Sequence, residues 1–311
     1  MIQLVSPWIR AVVLPGLGGR MISLHAGGRE WLWRNPELLD AAFSLTDAAA
    51  RLPAPTGFSS WANWGGDKTW PAPQGWASDQ EWAGPPDPVL DAGAYTVLER
   101  TELRVRMRSG DDPRTGLAIT RTITLARDEA TIVVDSELEN VSDRPVRWAA
   151  WTVTQFETES FQAHGDDRSG VWIGLTERHR APVTLFAPDG APALERVSPG
   201  LGRVPVRDVV GKIGVGGTAG WLAVVAPGGI TLTQRFDVRE GAAYPDGGSE
   251  IAIWMQYPTD DDLDGLDGLR PTARLVEAET MSPLTRLTPG EVLHHRVTWS
   301  LTDTPPFGRR E

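Results

Sequence analysis

Glu277 and Glu279 stand two apart in the stretch "RLVEAETMSPLTRLTPGE". On an extended strand that spacing puts both carboxylates on one face. Like charges held side by side under partial cover push at least one pKa upward, which suits a general base. Leu275, Met281 and Leu284 flank the pair and argue for cover. The alternative is a solvated pair on an exposed strand.

A second clue lies in the basic residues. Of 30 lysines and arginines only Lys68 and Lys212 are lysine. A GC-rich genome explains a drift toward arginine. A lysine retained against that drift suggests work that a guanidinium does less well. Lys68 sits in "NWGGDKTWPAPQGW", residues 63–76, a stretch crowded with tryptophan, proline and glycine. So many breakers predict a loop. Trp61, Trp64, Trp70, Trp76 and Trp82 all fall in or beside it. They are either a plug over one end of the core or a wall for a ligand with an apolar face and a polar edge, such as a sugar.

Other chemistry finds less support. Histidine is scarce: His294 and His295 are neighbours and face opposite ways on a strand, while His25, His164 and His179 lack partners at metal-ligand spacing. "DDDLDGLDG", Asp260–Gly268, imitates the start of a calcium loop, but Pro271 stands where the bidentate glutamate belongs, so a solvated acidic turn is expected. "GVGGTAG" leads into the strand-like "WLAVVA" rather than a helix, which removes the dinucleotide reading. There is no cysteine, hence no disulfide and no thiolate nucleophile.

The elements that must carry these residues read as strands. "ELRVRMRS", "GLAITRTITL", "ATIVVDSELEN", "RWAAWTVTQF", "VWIGL", "VTLFA", "GWLAVVA", "ITLTQRF", "IAIWMQY", "ARLVEAET" and "VLHHRVTWSL" alternate in polarity or are rich in β-branched and aromatic residues. Only Pro36–Leu52 reads as helix. Strand after strand predicts an all-β sandwich or barrel, taken as one domain over residues 1–311. The net charge of -11 argues against nucleic acid as partner. No apolar run reaches membrane-spanning length, and the N-terminus has no secretory pattern. A cytoplasmic location is the expectation.

"GGRMISLHAGGREWLW", "GGDKTWPAPQ", "LENVSDRPVRWAAWTVTQF", "GKIG", "YPDGG" and "EAETMSPLTRLTPGE" follow one another in that order. Together they resemble the galactose-mutarotase-like superfamily of aldose 1-epimerases and their relatives, and more narrowly a bacterial branch marked by "GGDKTWPAPQ". The resemblance covers nearly the whole chain. It implies a β-supersandwich of antiparallel sheets with few short helices, a small-molecule carbohydrate ligand and no cofactor. It implies a glutamate on a late strand as base toward the anomeric hydroxyl, matched by Glu279 or Glu277. It also implies a histidine acid on a middle strand, where this chain has Trp148, Trp151, Thr154 and Gln155 instead. Lys68 is the first replacement acid, with Tyr244 and Lys212 behind it. The expected ligand contacts are Asn63, Trp64, Asp67, Trp70, Gln74, Trp151, Gln155, Lys212, Tyr244 and Asp246. With no acid in place, the same groups would only bind a sugar.

Overall fold

The computed structural model describes residues 1–52, 58–75, 78, 80–162 and 168–303. Trp76 and His164 lie outside them. Two antiparallel sheets face each other. The first runs, edge to edge, through Ile2–Val5, Ile9–Leu14, Arg20–Ala26, Asp67–Ala72, Val146–Glu157, Leu275–Met281, Ile251–Gln256, Val210–Val215 and Val183–Asp189. The second runs through Glu195–Ser198, Leu201–Val204, Gly170–Leu175, Thr218–Val225, Thr231–Phe236, Val292–Thr302, Thr131–Asn140, Leu117–Leu125, Arg104–Arg108 and Thr96–Arg100. Each strand read from alternating polarity lies in one of these sheets. Among the described residues no helix is long and apolar enough to cross a membrane.

Two local expectations are corrected. Pro36–Leu52 is not an α-helix; it holds a Leu39–Leu45 bridge and a short 3-10 turn, Ala49–Arg51. The Asp40 carboxylate accepts from the Ala42 and Ser44 N–H groups at 2.8 and 2.9 Å, and Phe43 takes φ 61°. An aspartate bound to nearby backbone offers an alternative to helix, and here it wins.

The second correction concerns "NWGGDKTWPAPQGW". Asp67–Ala72 is not loop but a strand inside the first sheet, paired along its length with Val146–Glu157. Pro71 is tolerated because the other side of the strand pairs with Arg20–Ala26 only at Met21–Asp67. Gly66 makes the close approach possible: at φ 79° a Cβ there would stand 2.4 Å from the Met21 carbonyl oxygen.

Most of the space between the sheets is apolar, from Leu4 and Leu24 to Val134 and Val297. Polar links cross it at chosen points. Asp67 meets the Arg121 guanidinium of the second sheet, and both are fully buried. Thr154 Oγ1 donates to Asp67 Oδ2 at 3.0 Å and accepts from Gln234 Nε2 at 3.0 Å. Thr69 and Ser136 hydroxyls meet at 2.8 Å, and Thr280 Oγ1 meets His295 Nε2 at 3.1 Å. Burial holds the His295 imidazole down to about 4, so it is neutral at physiological pH. These links fix which face of each central strand looks inward. Asp67, Thr69, Thr154 and Thr280 point between the sheets, so their neighbours Lys68, Trp70, Gln155, Trp151 and Glu279 point the other way.

Removing Arg121 would leave Asp67 a buried charge without a cation. Arg121→Met is expected to destabilise the fold by about 3–5 kcal/mol. Urea unfolding followed by tryptophan fluorescence measures this, and an unchanged midpoint would show that the pair does not hold the sheets together.

Candidate functional site

Cross-strand pairing sets a row of side chains on the outer face of the first sheet. Gln155 lies opposite Glu277, Glu277 opposite Trp254, Trp254 opposite Lys212, and Lys212 opposite Phe186. The next row holds Lys68, Val153, Glu279, Ala252 and Gly214.

The two lysines and the two glutamates form two ion pairs. Lys212 Nζ lies 2.8 Å from Glu279 Oε2, and Lys68 Nζ lies 3.8 Å from Glu277 Oε1. Each ammonium also covers an indole face: Lys68 Nζ is 4.7 Å from the Trp70 ring centroid and Lys212 Nζ is 4.1 Å from that of Trp151. Trp151 Nε1 donates to Glu279 Oε2 at 2.7 Å, and Gln155 Nε2 donates to Glu277 Oε1. The pairs sit at two depths. The Lys68 and Glu279 side chains are 1% and 0% exposed, whereas those of Glu277 and Lys212 are 12% and 14% exposed.

Burial moves the two inner groups toward neutrality. Desolvation lowers the Lys68 ammonium to about 8 against the pull of Glu277. Desolvation raises the Glu279 carboxyl to about 7; Lys212 opposes the rise and Glu277 adds to it. Among the described residues Lys68 Nζ, Glu279 Oε1, Gln155 Oε1 and Trp70 Nε1 are buried without a hydrogen-bond partner. A group of such atoms beside a cavity marks where polar ligand atoms find partners.

That cavity has a volume of about 640 Å³. Asn63, Trp70, Gln74, Trp151, Lys212, Asp246 and Glu277 line it. Lys68, Glu279 and Gln155 lie against this lining as the partners just described. The tryptophans are plug and wall at once. Trp82 and Trp151 pack on Trp70, with ring centroids 4.9 and 5.2 Å away, and Trp61 meets its edge at 6.2 Å. Trp82 is buried, while Trp61, Trp70 and Trp151 reach the cavity. Asp246, in the "YPDGG" turn at φ 50°, has its carboxyl raised by burial, an effect that Lys212 opposes.

Three residues expected here point elsewhere. Asp67 cannot share a face with Lys68 on a strand and is committed to Arg121. Trp64 packs with Val12, Leu14, Ile22 and Leu39 in a separate cluster. Tyr244 is outside the lining; its hydroxyl accepts from the Arg239 N–H at 2.9 Å. The sequence reading also missed Trp33, Asn35, Phe186, Trp254 and Gln256, all of which line the cavity. For Trp254 and Gln256 there was a signal: "IAIWMQY" places both on one face of a strand. The Asp260–Gly268 turn comes to the rim, where Asp262 pairs with Arg270 at 2.7 Å.

Two facing antiparallel sheets with few short helices match the fold of galactose mutarotase-like structures. A model of the family described as "Domain of unknown function (DUF4380)" matches residues 1–302, and the chain belongs to that family. No curated protein matches the chain. A galactose mutarotase related enzyme from Lactobacillus acidophilus superposes with a TM-score of 0.56 at 11% identity, covering 99% of both chains. A galactose mutarotase-like protein from Lactobacillus casei gives 0.56 at 12% identity, over 97% of this chain and 100% of the other. One from Clostridium acetobutylicum gives 0.54 at 10% identity, over 96% and 94%. At such identities the likeness is one of fold.

The raised Glu279 carboxyl has a pH signature. Its pKa in the folded protein lies above its ordinary value of 4.5, so its contribution to stability is full below pH 4.5 and is lost as pH rises through about 7. Glu279→Gln is therefore expected to gain stability relative to the parent between pH 4.5 and 7, on the order of 3 kcal/mol. Lys68, lowered from 10.5 to about 8, contributes stability only as pH rises from about 8 toward 10.5. Denaturant unfolding of parent and variant across pH 4–8 measures the first effect; parallel curves would show that Glu279 titrates as an ordinary carboxylate.

Proposed function

We propose that the cavity binds an aldose ring and interconverts its anomers by general acid–base catalysis. One observation carries the reading: the chain's two lysines converge on two paired glutamates beside indole faces. A lysine ammonium and a glutamate carboxylate within reach of a bound sugar serve as general acid and general base. The indoles of Trp61, Trp70 and Trp151 supply the stacking surface for the apolar face of a pyranose. Asn63, Gln74 and Asp246 supply hydrogen bonds to its hydroxyls, and Lys212 gives the site an affinity for a free or an acidic sugar. The "GGDKTWPAPQ" stretch delivers Lys68, Trp70 and Gln74 and is the sequence mark of this site.

Of the four ionised groups, Glu277 and Lys212 line the cavity and so touch substrate. Glu277 takes the proton from the anomeric hydroxyl as Lys212 gives one to the ring oxygen. The bond from C1 to the ring oxygen breaks and the C1 carbonyl forms. Rotation about C1–C2 and reversal of both transfers close the ring as the other anomer and return each proton. Lys68 and Gln155 hold the Glu277 carboxylate, and Glu279 with the Trp151 N–H holds the Lys212 ammonium. Lys68 is thus a positioning residue in this scheme, and Lys212 takes the acid's part.

The alternative, a carbohydrate-binding protein without turnover, is favoured by one observation: no histidine is among the described residues that line the cavity. Exchange NMR on aldoses labelled with carbon-13 at C1 separates the two. The enzyme reading expects faster exchange between anomers for at least one aldose, and a loss of about 10²–10⁴-fold in Glu277→Gln and Lys212→Met with the fold retained. Sugar binding with no acceleration for any aldose would establish the binding protein instead.

A further inference from the structure

The cavity is larger than one sugar ring needs. Its 640 Å³ equals the share of about 20 water molecules in the liquid. A hexose of about a dozen non-hydrogen atoms, at interior packing density, fills roughly a third of it. The remaining space has a different character from the floor beside Glu277.

Phe186 lies opposite Lys212, three strands from Glu277, or about 14 Å across the sheet. Its ring stacks on that of Trp254 at 5.7 Å and 26°. Leu185, Leu266, Leu269 and Pro271 line the cavity with it. The Asp260–Gly268 turn is built against this end: Gly265 takes φ 80°, and a Cβ there would stand 2.8 Å from the Phe186 ring. Leu266 is buried and Leu269 half-buried beside it.

Three polar side chains at this end are already engaged. Trp254 Nε1 donates to Gln256 Oε1 at 3.2 Å, Gln256 Nε2 donates to the Ala273 carbonyl at 3.1 Å, and the Arg270 guanidinium is held by Asp262 at 2.7 Å. Beside Glu277 the reverse holds: four buried polar atoms among the described residues lack a hydrogen-bond partner. One end offers hydrogen bonds and the other offers apolar surface.

We infer that the Phe186–Leu269 end is a second subsite for an apolar, ring-sized substituent, so that the substrate is an aldose carrying such a group on a carbon other than the anomeric one. The assignment of the sugar to the first end rests on the proposed function; the apolar subsite does not. A substituent on the anomeric oxygen would block ring opening, which is why the attachment falls elsewhere.

Isothermal titration calorimetry with glucose, galactose, their 6-O-benzoyl esters, a 6-linked reducing disaccharide and benzyl alcohol tests this. A benzoyl ester is expected to bind about tenfold tighter than its parent hexose. Phe186→Ala and Leu269→Ala are each expected to remove most of that gain and leave the hexose itself unchanged. Benzyl alcohol is expected to bind in a Phe186-dependent way. If it does so while no sugar binds, the subsite stands and the sugar reading falls. If hexoses bind but the esters gain nothing, or if the disaccharide matches the esters, the apolar subsite is overturned and the sugar reading stands. Binding of none of the probes overturns both.

Discussion

Four ionisable groups share one partly dry spot, and their mutual neutralisation is the constraint on which the site depends. A lone buried ammonium or carboxylate loses several kcal/mol of hydration; an opposite charge beside it recovers part of that loss. Lys68 with Glu277 and Lys212 with Glu279 add no net charge to the interior. They also stand at graded depth: Glu277 and Lys212 are partly exposed, while Lys68 and Glu279 lie buried behind them. Arginine in place of either lysine would keep the charge but not the readiness to release a proton.

The sandwich supplies the positions. A strand carries consecutive side chains to opposite faces, and Asp67–Ala72 uses this fully. Asp67 and Thr69 tie the strand to the second sheet through Arg121 and Ser136, while Lys68 and Trp70 serve the cavity. The wall is tethered by similar means. Trp61 Nε1 donates to Asp91 Oδ2 at 2.9 Å, and the buried Arg20 holds the same carboxylate at 2.5 Å. Trp82 Nε1 donates to Asp87 at 2.8 Å. Indoles anchored by carboxylates keep one geometry, which a stacking surface requires.

Much of this was legible in residue order. The period-two runs located strands of both sheets, and the Glu277–Glu279 spacing placed both acids on one face. The rarity of lysine marked Lys68 and Lys212 with no structural knowledge at all. What failed did so for local reasons. Pro71 and three glycines made a central strand look like loop, because a sequence does not show that one side of that strand lacks a ladder. Reading it as loop then allowed Asp67 and Lys68 to share a site that parity forbids. Asp40 broke a helical pattern by binding its own backbone. Phe186 stayed hidden because its meeting with Trp254 depends on which strands become neighbours, a long-range fact that no local window contains.

The rarity of lysine also gives the most direct measurement. Protein labelled with nitrogen-15 at lysine Nζ has only Lys68 and Lys212 to observe. The account predicts that one signal, absent in Lys68→Met, titrates near pH 8, and that adding an aldose shifts the signal absent in Lys212→Met. Two signals that titrate together near the ordinary value of 10.5 and ignore every aldose would contradict it.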